Sequence, residues 1–160
     1  MPKTARQESA WHPFWGFNMR RISFNPRFVS ESGRDLIPGK IHTIRKNYEW
    51  WKRFEGERIQ LFYWGGVPYR RYSKQIVFAE KKIYKVERIL KETDGITPGS
   101  PFSIYRSPNE SYAEQMLLGE LAKNDGLTEK EFVDWFAGYK DGYMGIIHFS
   151  DFDYRRGKNE

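Results

Sequence analysis

The chain has 160 residues, which suits one domain with one core, and an aromatic content of 18% argues against a disordered chain. It contains no cysteine, which excludes thiol catalysis, disulfides and cysteine-based zinc sites and fits a reducing cytoplasm. No apolar run approaches the roughly 20 residues that a membrane helix needs, so we expect a cytoplasmic protein without a membrane segment.

Charge is distributed unevenly along the chain, whose net charge is +6. Residues 40–91 carry fourteen basic and five acidic side chains, whereas residues 92–160 carry seven basic and thirteen acidic ones. A basic element of this kind usually contacts polyanions, although a solvated sheet surface whose lysines deter edge pairing has the same composition. The pattern favours contact with nucleic acid or a nucleotide.

The predicted elements begin with an arm over residues 1–19, which packs on the body through four aromatic residues, Trp11, Phe14, Trp15 and Phe17. Alternation and β-forming residues then predict strands at 20–24, 43–45, 58–64, 75–90, 102–105 and 143–149. The segment 75–90 fits either two strands or one long bent strand with a bulge. A short helix is predicted over 48–54.

Two capping boxes predict two consecutive helices in the last third of the chain. The first box is Ser111–Glu114, with Gly126 as the left-handed residue that ends its helix, and the second is Thr128–Glu131. A run of strands followed by a run of helices is typical of the α+β class. We expect a small mixed β-barrel over 20–153 with the two helices packed on it, followed by a polar tail over 154–160.

The segment Gly39–Arg45 brings an amine, an imidazole, a hydroxyl and a guanidinium close together, after a glycine that frees the backbone. Lys40 would deprotonate or orient the hydroxyl of Thr43 if burial or neighbouring cations lowered the pKa of its amine. Arg45 follows Thr43 by two residues, on the same face of a regular strand, and its planar cation suits a phosphate or a base edge. The alternatives are a locally bonded threonine, a surface lysine and an arginine paired with an acid.

The Gly-Lys-Ile-His-Thr-Ile-Arg segment resembles the signature of ASCH domains, which belong to the PUA-like superfamily. Members then have a tryptophan and a glycine before the next strand, matched here by Trp50, Trp51 and Gly56. Near the end they have a helix closing on an acidic residue and a glycine, matched by Asp125 and Gly126, then a second helix and a returning strand. The resemblance covers residues 20–153 and implies a PUA-like barrel.

One bacterial branch of this family comprises amidohydrolases that remove the acetyl group from N4-acetylcytidine. By motif match, the resemblance implies Lys40, Thr43 and Asp125 as the catalytic residues. The family acid is a glutamate, and Asp125 is one methylene shorter. Apart from the resemblance, Asp125 also fits plain helix-end chemistry, since Asn-Asp-Gly is a turn signal.

Aromatic and basic residues interleave between residues 50 and 72, which suits bases stacked above a neutralised backbone. The candidate ligand-binding residues are Arg45, His42, Trp50, Trp51, Arg53, Arg70 and Arg71. The alternative is an aromatic core beside a solvated loop. Three scattered histidines without cysteine predict no metal site, and the absence of a glycine-rich phosphate motif predicts no nucleotide cofactor.

Three functions remain open from the sequence. The first is a domain that binds RNA, or alternatively DNA, or a modified nucleoside in a basic cleft. The second is an amidohydrolase that deacylates an N4-acylated cytidine through Lys40, Thr43 and Asp125. The third is a protein-interaction domain whose aromatic arm docks a partner or a second copy of the chain.

Overall fold

Strands precede two consecutive helices and a closing strand, so the predicted α+β class is confirmed. A computed structural model of the protein describes residues 19–91, 102–105, 113–115, 118–140 and 142–154, with the backbone alone for 102–105 and 113–115. The strands are β1 (Arg21–Ser23), β2 (His42–Lys46), β3 (Arg58–Trp64), β4 (Gln75–Lys82), β5 (Lys85–Lys91), β6 (Phe102–Tyr105), β7 (Ala113–Gln115) and β8 (Gly142–His148). The helices are α1 (Tyr48–Lys52), α2 (Leu118–Asn124) and α3 (Glu129–Phe136), and a 3₁₀ turn covers Pro26–Phe28.

The described strands form two open sheets, and no closed barrel is found among them. Three strands pair in the order β1-β3-β4, with β1 parallel to β3, and five strands pair antiparallel in the order β2-β8-β5-β6-β7. The chain changes sheets at Ile83 and Tyr84. Ile83 exchanges backbone hydrogen bonds with Gly56 and Glu57, whereas the Tyr84 N–H donates to the carbonyl of His148. The segment 75–90 is therefore two strands rather than one bent strand.

The alternation along β3 is interrupted by a bulge, which changes the predicted inward face. Ile59 and Leu61 are fully buried, as their spacing predicts, and they pair with Lys81 and Ala79 on β4. The register shifts between Leu61 and Phe62, so that Phe62 is also buried and Tyr63 is only partly covered. Because Leu61 pairs with Ala79 and Phe62 with Val77, the extra residue of this bulge is the buried Phe78 on β4.

The first predicted helix of the last third begins later than its capping box implies. Ala113–Gln115 is a strand that pairs with Phe102–Tyr105, and α2 starts only at Leu118. The open edge of β6 needs backbone partners, and this demand outweighs the local helix signal. The second box is confirmed: the Thr128 hydroxyl accepts from the Glu131 N–H at 3.2 Å, and the Glu131 carboxylate accepts from the Thr128 N–H at 2.9 Å.

One continuous cluster of buried side chains joins both sheets to α2 and α3. Its fully buried members include Ile59, Leu61, Ile89, Leu121, Phe132, Ile146 and Ile147. Within the described ranges, no helix has the length and apolar character needed to cross a membrane. Residues 1–18 of the predicted arm, the loop at 92–101 and residues 155–160 of the predicted tail lie outside the described residues. Tyr154, placed at the start of the tail by the sequence analysis, is buried.

Candidate functional site

A cleft of about 470 Å³ lies between the end of β1, strand β2, the loop after β3, and α3. Its volume falls within the range typical of small-molecule sites. Four of the residues singled out from the sequence line it: Lys40, Thr43, Arg45 and Asp125. Residues separated in the chain are thus brought to one cavity, as the sequence analysis proposed for this set.

The end of α2 fixes the position of Asp125. Gly126 has a left-handed φ of +80°, its N–H donates to the carbonyl of Lys123, and the N–H of Leu127 donates to the carbonyl of Ala122. These two bonds make a Schellman motif, which needs a residue without a β-carbon at the left-handed position. The next contact also requires glycine, because an added Cβ would lie 3.2 Å from Cβ of Lys40. The helix end and the lysine stem are therefore in direct contact.

Lys40 and Asp125 form a buried ion pair at the base of the cleft. The lysine Nζ lies 2.8 Å from Asp125 Oδ1 and 2.6 Å from the Asp125 carbonyl oxygen, and the two side chains are 2% and 6% exposed. On its other side, Nζ is 4.4 Å from the centre of the Phe28 ring, a cation–π contact. Asp125 thus reaches the lysine despite being shorter than the glutamate of the family motif.

Burial and the Asp125 carboxylate have opposite effects on the protonation of Lys40. Burial lowers the pKa of Lys40, while the charge and hydrogen bond of Asp125 oppose this shift, and Arg45 and Arg27 add to it by repulsion. Two N–H groups point to the oxygens of Asp125. The third tetrahedral position of Nζ is not used by Asp125. In the charged amine it holds a proton, which can be donated to a ligand, and in the neutral amine it holds a lone pair, which can act as a base.

Strand β2 supplies the other two polar groups from one face. Thr43 and Arg45 are two residues apart and both line the cleft, as the period of a strand requires. Thr43 is 4% exposed. Arg45 donates from Nη2 to the carbonyl of Ser23, and its guanidinium lies 5.3 Å from the ring centre of Phe24. The arginine is therefore held across the cleft floor against the end of β1.

Aromatic side chains make most of the remaining wall. The lining rings are Phe24, Phe28, Trp64, Tyr69, Trp135, Phe136 and Tyr139. Trp64 and Tyr69 lie with their ring centres 5.0 Å apart on one side, and Trp135 meets Phe28 edge-on at 5.7 Å. Trp135 lies on α3, borders the cleft and is 40% exposed. Such walls suit a flat, partly apolar ligand.

His42 is buried behind the cleft rather than exposed in it. It is fully inaccessible, and its Nε2 lies 2.6 Å from the hydroxyl of Tyr154, which accepts a bond from the Asn124 amide at 3.0 Å. The Nε2 of His42 thus shares one hydrogen bond with the Tyr154 hydroxyl, and its Nδ1 lies 3.7 Å from Asp125 Oδ1. Burial lowers the pKa of His42 although Asp125 opposes this, and the ring supports the site from behind.

The other five candidate ligand-binding residues do not line the cleft. Trp50 and Trp51 lie on α1 with ring centres 4.6 Å apart, and Arg20 covers Trp50 at 5.3 Å. Arg53 stacks on Phe54 near the same helix. Arg70 and Arg71 are exposed in the loop between β3 and β4, beyond the lining segment. They remain candidates for contact with a longer ligand only.

Several site residues carried no signal in the sequence. Phe24 and Phe28 follow a short strand, Tyr139 follows α3, and Tyr154 lies near the end of the chain, so no motif or spacing joins them. A second buried pair was also missed: His148 Nε2 lies 2.8 Å from Glu87 Oε1, and both side chains are fully buried. Only the register of β8 between β2 and β5, which sets His148 opposite His42 and Lys85, places this pair behind the site.

Metal chemistry finds no support in the part of the chain that the structure describes, since no group of three or more metal-ligating side chains occurs there. Comparison with family models gave no match for this chain, and searches of curated proteins and of solved structures gave no significant match. The site must therefore be interpreted from its own geometry.

Proposed function

We propose that the protein is an ASCH-like domain of PUA-like type that binds RNA or a modified nucleoside, with a base held in the aromatic cleft. The observation that carries this proposal is the single cleft that combines aromatic walls with Lys40, Thr43, Arg45 and Asp125. A base presents a flat apolar face and a polar edge, and this cleft offers a partner for each.

The polar groups suit the edge of a base. Asp125 accepts hydrogen bonds, as an exocyclic amine requires, while Lys40 and Arg45 donate to ring carbonyls or a phosphate. Tyr69, at the mouth, is 87% exposed and lines the cleft, so its ring is free to stack on a base. Beyond it, the exposed Arg70 and Arg71 lie where the backbone of a longer strand would pass.

The test is titration of single-stranded RNA with the wild type and with two tyrosine variants. Tyr69 lines the cleft, whereas Tyr72 lies in the same loop, is 90% exposed and does not line it. Stacking on one ring contributes about 1–3 kcal/mol, so Tyr69→Ala should weaken binding by about 5-fold to 150-fold, while Tyr72→Ala should change it little. Wild-type affinity should fall steeply with salt. Equal affinities of the two variants, or no binding at all, would contradict the proposal.

An amidohydrolase is the second candidate, favoured by the buried Lys40–Asp125 pair in the same cleft as Thr43. In this reaction the Thr43 hydroxyl attacks the acyl carbon while neutral Lys40 takes its proton. The tetrahedral intermediate collapses, the C–N bond breaks, and the cytidine amine leaves with that proton. Water then hydrolyses the acyl-threonine ester, which releases acetate and restores the hydroxyl.

Incubation with N4-acetylcytidine, followed by chromatography for cytidine, tests this reaction. Thr43→Ala and Lys40→Ala should abolish turnover, whereas Thr43→Ser keeps the hydroxyl and should retain part of it. Turnover should rise with pH until Lys40 is fully neutral, because only the neutral amine accepts a proton. Unchanged turnover in Thr43→Ala would rule out Thr43 as the nucleophile, and circular dichroism of each variant controls for folding.

A further inference from the structure

Arg45 carries a positive charge in the cleft and makes no ion pair with a described carboxylate, although the more distant charge of Asp125 favours its charged form. Its Nη2 bonds the carbonyl of Ser23, its Nε is buried without a hydrogen-bond partner, and no carboxylate of the described residues lies within ion-pair distance. Burial lowers the pKa of Arg45, but an arginine side chain stays charged in proteins. Arg45 is only partly buried and borders the cleft, and a partly buried charge without an ion-pair partner needs compensation from water or a ligand.

The neighbouring groups do not supply that compensation. The nearest carboxylate in the cleft, Asp125, is already paired with Lys40 at 2.8 Å. Arg27 is itself a cation that repels Lys40, and it forms an ion pair with Glu131 on α3 at 2.9 Å. It therefore adds no negative charge that would compensate for Arg45. The cation–π contact with Phe24 offsets only part of the cost. The cleft therefore has one net positive charge, located at Arg45.

We propose that Arg45 forms an anion subsite and that the ligand of this cleft carries a phosphate ester beside its base, as a nucleotide does and a free nucleoside does not. This inference rests on the proposed function, whose base-binding groups it extends. Thr43 and Arg45 are about 7 Å apart along the strand, and the guanidinium extends further, to the end of β1. The base edge and the phosphate thus occupy separate ends of one cleft.

The decisive comparison is calorimetric titration with cytidine, cytidine 5′-monophosphate and the dinucleotide CpC. The wild type should bind the monophosphate about tenfold or more tightly than cytidine, since a charge-assisted bond to phosphate adds that much. Arg45→Gln should lose this preference for the monophosphate over cytidine, and Arg45→Lys should keep part of it. Arg53→Gln, which removes an arginine outside the cleft, should behave as the wild type. A preference for CpC over the monophosphate would identify an RNA diester rather than a free nucleotide as the source of the phosphate.

Thermal unfolding with inorganic phosphate separates this inference from the proposed function. Phosphate should raise the melting temperature of the wild type more than that of Arg45→Gln. If phosphate does so but neither cytidine ligand binds, the subsite stands and the nucleoside proposal falls. If cytidine binds as tightly as its monophosphate, or if the preference survives in Arg45→Gln, the subsite is refuted and base binding stands. Failure of cytidine, monophosphate and phosphate alike would overturn both.

Discussion

The Lys40–Asp125 pair provides the sharpest test of the site, because removal of one side chain leaves the other as an unpaired buried charge. In Asp125→Ala, the amine of Lys40 keeps the carbonyl of residue 125 at 2.6 Å and the rings of Phe28 at 4.4 Å and Phe24 at 5.7 Å, but no carboxylate. Both side chains are almost inaccessible, at 2% and 6% exposed, so water does not replace the lost carboxylate. Breaking a buried pair in this way costs about 3–5 kcal/mol of unfolding free energy.

The cost has an upper limit that depends on pH. Lys40 can lose its proton instead of remaining as an unpaired charge. With an unfolded pKa of 10.5, the free energy of this deprotonation is about 5 kcal/mol at pH 7 but only about 2 kcal/mol at pH 9. Because the folded pKa lies below the unfolded one, the unfolded chain binds more protons between the two values, and stability rises with pH through that window. The loss caused by Asp125→Ala should therefore shrink from about 3–5 kcal/mol at pH 7 to about 2 kcal/mol or less at pH 9.

Urea unfolding of four proteins measures this effect: the wild type, Asp125→Ala, Lys40→Met and the double variant. The double variant should be more stable than Asp125→Ala, because it contains no stranded charge, and the four slopes with urea should agree. Asp134→Ala is the control, since Asp134 pairs with Lys130 at 3.0 Å on the surface and its loss should matter little. A loss below about 1 kcal/mol in Asp125→Ala at pH 7, or one independent of pH, would refute the buried pair.

Two further predictions concern the support of the site. Burial lowers the pKa of His42, so below pH 6.5 the unfolded chain takes up a proton that the folded chain does not, and stability falls by up to about 1.4 kcal/mol per pH unit down to the folded pKa. His42→Gln should remove that part of the acid dependence in urea unfolding; parallel curves for the two proteins would show that His42 is not buried neutral. Gly126→Ala should destabilise the fold more than Gly33→Ala, because both have left-handed φ angles but only Gly126 lies against Lys40. Equal losses in thermal unfolding would mean that this close approach is absent.

Local patterns in the sequence predict much of the fold because they describe local interactions. The strand at 58–64, the second capping box and the glycine that ends α2 all agree with the structure, since each depends on neighbours in the chain. The first capping box fails for a non-local reason. Residues 113–115 pair with a strand ten residues earlier, and no property of the box itself records that partner. No closed barrel is found among the described strands, and the sheet change at Ile83 likewise depends on contacts with the distant residues 56 and 57.

Predictions about the site residues likewise agree with the structure where they depend on neighbours in the chain and not where they depend on distant residues. The alternation of β2 correctly places Thr43 and Arg45 in the cleft and His42 behind it, although the sequence analysis grouped His42 with the ligand-binding residues. The pairing of Arg45 with an acid, considered from the sequence, does not occur among the described residues, because Lys40 takes Asp125. Tyr154 was beyond prediction, since its role depends on where the chain passes after β8.

The cleft also depends on the completed fold. Lys40 and Asp125 are 85 residues apart, and the same contact is reinforced by a backbone bond from the N–H of Ile41 to the carbonyl of Asn124 at 2.9 Å. The site therefore does not exist in an unfolded chain, so a ligand that binds it stabilises only the folded state. At a hundredfold excess over its dissociation constant, such a ligand adds about 2.7 kcal/mol to the unfolding free energy. Because this gain requires both ends of the contact, a ligand that stabilises the wild type but not Lys40→Met depends on Lys40 for its binding.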